Sequence, residues 1–162
     1  MPNSNNSSLH QFFAQRIDQA EKLEKFSEKK YAKLTKVAHT DELAKCLHPE
    51  STDILAHQQR LSLIKKLVPK TSQLEIKYEL PVLQLKSKAN PTQDLLIIEN
   101  ALNIQNQKLA IYELLHPIAV ALNLETVPAL IEQTISDNRN TNTWLRQIVQ
   151  NIVAPILTEN NS

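Results

Sequence analysis

Apolar residues recur every three or four positions through most of the chain, which is the spacing of amphipathic α-helices. Six segments with this spacing are bounded by Ser, Thr, Asn or Pro residues that commonly start or stop helices. The pattern predicts helices over about 9–38, 41–47, 53–68, 92–122, 127–136 and 144–157. The polar run 137–143 predicts a loop between the last two. The polar stretch 103–108 and the pair His116-Pro117 predict a break or kink in the helix 92–122.

One segment has a different period. Between 73 and 86, apolar and charged residues alternate, which is typical of a half-buried β-strand. Pro81 removes a backbone donor from the run, so the strand must lie at an edge or bend. No second run of this kind is present to pair with it, which makes another chain one candidate partner. The apolar face of this segment consists of Leu74, Ile76, Tyr78 and Leu80.

The overall prediction is a mostly α, single-domain bundle of about six helices with one short extended segment near 73–86. A chain of 162 residues is long enough to bury a substantial core. We expect a disordered tail over 1–7, a single helical domain over 8–157, and a frayed end over 158–162. The chain has no glycine, where average usage of about 7 % would give about eleven. This absence argues against glycine-rich phosphate-binding loops and for turns built from Asn, Asp, Ser and Pro.

The net charge of +1 conceals an asymmetry along the chain. Residues 1–88 contain 15 of the 18 Lys and Arg and 10 of the 17 acids, a balance of +5. Residues 89–162 contain the other 3 bases and 7 acids, a balance of −4. The helical domain therefore divides into a basic half, 8–88, and an acidic half, 89–157. Two interpretations remain open: the halves attract each other within or between chains, or the basic half meets an acidic partner.

The single cysteine, Cys46, cannot form an internal disulfide, so we expect a reducing, cytoplasmic environment. The first residues contain neither a charged nor an apolar region of the kind found in secretory signals. No apolar run approaches the roughly 18 residues that a membrane span needs.

Candidate chemistry is sparse. Glu113 and His116 have the E-x-x-H spacing found in carboxylate-bridged metal bundles, but those sites need a second copy of the motif. Cys46 and His48 are two residues apart, which would direct their side chains away from each other on a helix. The other histidines, His10, His39 and His57, lack zinc-ligand spacing. We therefore predict no catalytic, cofactor-binding or metal-binding residues.

The leading functional hypothesis is a non-enzymatic helical protein-interaction module, acting as a homodimer or as an adaptor or accessory subunit of a larger assembly. The unpaired extended segment and the broad apolar helix surfaces favour it. Candidate interface residues lie on the extended segment and the last helix: Leu74, Ile76, Tyr78, Leu80, Trp144, Ile148 and Ile152.

The alternative is a nucleic-acid-binding regulator that uses the basic half. The segment LAKCLHPESTDIL, 43–55, lies in a possible degenerate helix-turn-helix over 40–60, although it lacks the usual turn glycine. Single-strand stacking has little support, since aromatic residues make up only 4 % of the chain. Candidate phosphate contacts are the basic residues Lys29, Lys30, Lys33, Lys36, Arg60, Lys65, Lys66 and Lys70.

Overall fold

The structure, a computed structural model, describes residues 4–68, 85 and 88–159, with side chains from residue 8 onward. These ranges contain helices and no strand, which confirms the predicted mostly α bundle. The extended segment predicted near 73–86, with its four apolar residues, and Lys70 lie outside the described residues, apart from Leu85. The helices are α1 (Ser4–Lys36), α2 (Asp41–Cys46), α3 (Pro49–Thr52), α4 (Ile54–Leu67), α5 (Pro91–Ala121) and α6 (Val127–Ile148).

Four long helices make the body of the bundle. α5 packs against both α6 and α1, and α4 packs against α1 and α6. Each contributes an apolar stripe, as the three-and-four spacing predicts. The stripes meet in one core whose largest members include Phe13, Ile17, Leu34, Leu61, Ile97, Ile104, Leu115 and Leu145.

The α5 helix is unbroken from Pro91 to Ala121, so the break predicted at 103–108 or at 116–117 is wrong. Asn90 starts the helix by accepting a hydrogen bond from the Gln93 N–H, with Pro91 in the first turn. Pro117 removes only one backbone donor, and the buried residues Leu115 and Ala119 hold the helix against the core on either side of it.

The α6 helix continues without interruption through 137–143. The predicted loop there and the predicted division into two helices are therefore wrong. The reason is that three polar residues of this run, Asn138, Thr141 and Asn142, are buried and face the bundle. The helix continues through a π-helical stretch, Val149–Val153, into a last turn, Ala154–Glu159. This stretch precedes Pro155, which has no N–H for the helical ladder.

The turn after α1 is tied to the start of α5 by a buried carboxylate. Asp94 is fully buried and accepts hydrogen bonds from the backbone N–H groups of His39 (2.7 Å) and Thr40 (2.9 Å). The Thr40 hydroxyl also donates to Asp94, and it makes no hydrogen bond that caps α2. This contact fixes where α2 begins relative to α5.

Two connections need a left-handed backbone conformation, which glycine usually supplies. Asp53, between α3 and α4, has φ 56°, and Asn123, after α5, has φ 57°. Asp and Asn tolerate this conformation better than other non-glycine residues. The chain thus makes its tight turns with the residues that its composition predicts.

Candidate functional site

The most unusual feature of the interior is a buried network of ionisable groups. Glu24, His57 and Lys108 come from α1, α4 and α5 and are at most 1 % exposed. The Lys108 Nζ lies 3.0 Å from Glu24 Oε2, and His57 Nδ1 lies 3.5 Å from Glu24 Oε1. The Tyr112 hydroxyl donates to the same Glu24 Oε1 at 2.8 Å. One carboxylate on α1 therefore contacts groups from two other helices, α4 and α5.

The network extends through His57 to the edge of the bundle. His57 Nε2 lies 3.2 Å from Asp137 Oδ2 on α6, and Arg60 donates to the same oxygen at 2.7 Å. The Arg60 side chain is 22 % exposed, so this end reaches solvent. A continuous series of charged or ionisable groups thus runs from the centre of the core to its surface and touches all four long helices.

A second branch of the network, called here the neutral branch, consists of hydrogen bonds between uncharged side chains in the core. The Tyr31 hydroxyl donates to Gln105 Oε1 at 2.6 Å, and Gln105 Nε2 donates to Asn138 Oδ1 at 2.9 Å. Asn138 in turn donates to the carbonyl of Thr134, one turn earlier in α6. The Lys108 Nζ lies 5.4 Å from the centre of the Tyr31 ring, within reach of a cation–π contact. Lys108 therefore connects the two branches.

The surroundings of each group fix its charge. Burial alone would raise the pKa of Glu24, but the Lys108 charge, the nearby His57 and the hydrogen bond from Tyr112 lower it to about 2. Burial lowers the pKa of Lys108, and Glu24 opposes that effect. Burial and the Glu24 charge raise the pKa of Tyr31, so its hydroxyl remains a hydrogen-bond donor. For Asp137, burial acts upward on the pKa, but the hydrogen bond from Arg60 and further contacts bring it below its ordinary value.

This arrangement is suited to holding helices together. The charges neutralise one another, and a substrate would have to displace packed side chains to reach the central groups. In the part of the chain that the structure describes, Glu24 Oε2, Lys108 Nζ and His57 Nδ1 are buried and make no hydrogen bond, so charge attraction holds the centre of the network together. Among the described residues, no group of three or more His, Cys, Asp or Glu is placed to hold a metal ion.

The residues considered for chemistry take other partners. Glu113 accepts from Arg139 at 2.7 Å, and His116 Nε2 lies 3.3 Å from Glu132 Oε2, so both members of the E-x-x-H pair engage α6 at the surface. Burial, with the nearby Glu42, raises the pKa of Cys46 to about 12, which leaves it a protonated thiol.

The network was missed from the sequence, although a signal for it exists. Lys108 falls on the apolar stripe of α5, and His57 falls where α4 would ordinarily place an aliphatic core residue. A charged or polar residue in phase with a buried stripe indicates a buried polar contact. Glu24 gives the same signal, because it falls in phase with the buried positions Ile17, Ala20 and Tyr31 of α1. Asp137 gives none, because it lies in a polar run of the sequence.

A second feature lies on the outside of α4. We call it the α4 face: Leu55, Gln58, Gln59, Ser62, Leu63 and Lys66, which line an open groove of about 380 Å³. Leu55 is 56 % exposed and Leu63 45 %. The buried residues of α4 lie on the opposite side of the helix.

The predicted contact residues are distributed over several surfaces. On the last helix, Ile148 is buried in the chain's own core, Ile152 is half-buried, and Trp144 donates to Glu42 at 3.0 Å. Among the predicted phosphate contacts, Arg60 belongs to the buried network and Lys65 pairs with Glu21 at 3.4 Å. Lys65 is also exposed, as are Lys29, Lys33 and Lys36 on α1 and Lys66 on α4, and Lys30 is half-buried.

These features define an all-α, single-domain bundle whose core contains an ionisable network. The chain belongs to the family described as a domain of unknown function (DUF892), whose model matches residues 8–157. Comparisons with curated proteins and with solved structures found no match. Within the described part of the chain, every helix is too short or too polar to span a membrane.

Proposed function

We propose that this protein is a non-enzymatic helical interaction module that forms a homodimer through the α4 face. The observation that carries the proposal is the exposure of two leucines, Leu55 and Leu63, on α4. The opposite side of this helix is buried in the core of the same chain. Complete burial of a leucine is worth roughly 1.5–3 kcal/mol, so covering these half-exposed residues in both copies favours association.

The α4 face is complementary to itself in an antiparallel pairing. Leu55 and Leu63 are each four residues from Gln59, so a two-fold axis at Gln59 places Leu55 of one copy opposite Leu63 of the other. Each copy then contributes the same patch, as the symmetry of a two-fold dimer requires.

Charge supports the same orientation. The segment before α4 carries the exposed acids Glu50 and Asp53. The last turn of α4 carries the exposed bases Lys65 and Lys66. An antiparallel pair brings the acidic end of one copy to the basic end of the other. A parallel pair would place like charges together, which disfavours association.

A binding role also agrees with the interior. The core charges pair with one another across helices α1, α4, α5 and α6, which links the helices of the bundle that presents the α4 face. An adaptor or accessory subunit needs such a rigid surface, and buried polar networks help to provide one.

Sedimentation velocity from about 1 to 200 μM tests the association, since a small helix-pair interface gives a dissociation constant on the order of 10–100 μM. We expect Leu63→Glu to remain a monomer throughout. The matched control is Leu114→Glu, because Leu114 on α5 is also 45 % exposed. It should dimerise like the parent. A parent chain that stays monomeric, or equal loss in both variants, would contradict the proposal.

The two-fold axis has its own test. Gln59→Cys places a thiol where two copies meet, and the only native cysteine, Cys46, is buried. Mild oxidation should yield a covalent dimer far more readily than Gln147→Cys, an exposed position on α6. Similar crosslinking of the two variants would rule out this orientation.

A further inference from the structure

We infer that the outer face of α1 is a binding surface for the phosphate backbone of duplex nucleic acid. The surface, called here the lysine stripe, consists of Lys22, Lys25, Lys29, Lys33 and Lys36. It is a separate proposal from the dimer, because the stripe shares no residue with the α4 face.

The stripe is continuous and straight. Its members follow one another at three- or four-residue steps, and at 3.6 residues per turn they fall within an arc of about 80°. With a rise of 1.5 Å per residue, the distance from Lys22 to Lys36 is about 21 Å. All five side chains are exposed.

Of the acids that accompany these lysines in the sequence, Glu24 and Glu28 lie off the stripe, whereas Asp18 and Glu21 pair with two of its members. Glu24 is buried against Lys108. Glu28 accepts a hydrogen bond from Gln58 of α4 at 2.8 Å, and Glu21 lies 3.4 Å from Lys65 of α4. Glu24 and Glu28 thus face the core and α4, and Glu21 divides its contacts between Lys25 and Lys65, so positive charge predominates on the outward face.

Neutralisation of the stripe is incomplete. Lys22 lies 3.1 Å from Asp18, and Lys25 lies 3.7 Å from Glu21. Lys29, Lys33 and Lys36 form no ion pair with residues 4–68 or 88–159. These three lysines carry most of the unbalanced charge.

A duplex fits this surface better than a membrane or a protein does. The apolar side of α1 is buried in the bundle through residues such as Ile17 and Leu34, so the helix has no apolar face to insert into lipid. Phe26, 41 % exposed, is the single large apolar residue among the exposed ones of α1. Lysine is depleted at the centres of protein interfaces. A duplex strand presents a phosphate about every 3.4 Å, so 21 Å spans about six of them.

The stripe also indicates what kind of recognition to expect. Phosphate contacts position a protein on a duplex, and sequence is distinguished mainly by side chains that reach base edges, commonly Arg, Asn and Gln. The stripe contains none of these. We therefore expect binding without sequence preference.

The test is fluorescence anisotropy with a labelled duplex of about 20 base pairs, titrated between about 50 and 200 mM salt. Three unpaired lysines predict a slope of log K against log salt near −3, and all five would give about −4.5. Two duplexes of unrelated sequence should bind alike. A slope shallower than about −1, or no binding at 50 mM salt, would overturn the inference.

Matched variants locate the surface. We expect a triple variant of the stripe to bind the duplex at least about 10-fold more weakly at low salt. It combines Lys29→Gln, Lys33→Gln and Lys36→Gln. The control is a triple variant that removes the same charge outside the stripe: Lys30→Gln, Lys45→Gln and Lys88→Gln. It should change the affinity for the duplex about 2-fold or less. Circular dichroism confirms that both remain folded. Equal losses would show a net-charge effect and would overturn the assignment.

Two further measurements separate the alternatives. Vesicles rich in phosphatidylserine should bind much more weakly than the duplex, and the opposite order would overturn the choice of nucleic acid. Repeating the titration with Leu63→Glu separates this inference from the proposed dimer. A monomeric variant that still binds through the stripe supports the inference whether or not the parent dimerises.

Discussion

The two sides of α1 use charge in opposite ways. On the inner side, Glu24 is fully buried and interacts with Lys108, His57 and Tyr112. On the outer side, the lysines from Lys22 to Lys36 extend into water. A charge in the interior is costly unless it is paired, whereas a charge at the surface interacts weakly with its neighbours. The inner side therefore determines stability, and the outer side is available for binding.

The largest expected effect comes from removing the cation of the buried pair. Lys108→Met leaves Glu24 without its nearest positive charge, and breaking a buried pair in this way costs about 3–5 kcal/mol. Urea unfolding should detect the loss in the free energy of unfolding. The double variant Glu24→Gln with Lys108→Met should recover part of it. A loss below about 1 kcal/mol would mean that the pair contributes little.

The second-largest effect is expected in acid, which should lower the free energy of unfolding through Glu24 on the inner side of α1. The pKa of Glu24 is lowered from 4.5 to about 2, so the folded state holds its ionised form more strongly than the unfolded state does. This contribution is fully present above pH 4.5 and is lost as the pH falls toward 2. The difference corresponds to about 3 kcal/mol. Unfolding measured across this range should show the decline, and Glu24→Gln should flatten it.

A smaller effect is expected in the neutral branch. Tyr31→Phe removes the hydroxyl that donates to Gln105 at 2.6 Å and leaves a buried acceptor without that donor. Such a change costs about 1–3 kcal/mol. Thermal unfolding should show it with little change in helix content. A variant as stable as the parent would indicate that Gln105 finds another donor.

The smallest effect is expected at the surface. Arg139 and Glu113 form a 2.7 Å contact, but their side chains are 62 % and 46 % exposed. Exposed pairs contribute roughly 0.2–1 kcal/mol, and salt screens them. Arg139→Gln should therefore change the free energy of unfolding by no more than this. A loss comparable to that of Lys108→Met would remove the contrast between interior and surface.

Sequence patterns located the helices but not always the direction that their polar residues face. The bounds of α2, α4 and α5 lie within two residues of the prediction. The polar run 137–143 was misjudged, since Asn138 and Asn142 point into the bundle. Periodicity identifies residues that share a side of a helix. It does not reveal that a polar side will be buried, because that depends on partners distant in the chain, such as Gln105 for Asn138.

The candidate surfaces show the same division. Lysines and glutamates alternate along α1 in the sequence, which suggests a mixed, solvated surface. Folding separates them, because α4 and the core take Glu21, Glu24 and Glu28 and leave the lysines outside. The exposed leucines of α4 are likewise indistinguishable from core leucines until the neighbouring helices are in place.

The amino-acid sequence alone determined that this protein is an α-helical bundle, since apolar spacing and the absence of glycine act locally on the backbone. The tertiary structure decided which charges are buried together and which remain free. Those outcomes depend on contacts between residues 30 or more positions apart, such as Glu28 with Gln58, Glu24 with Lys108 and His57 with Asp137. Local patterns carry no information about such distances.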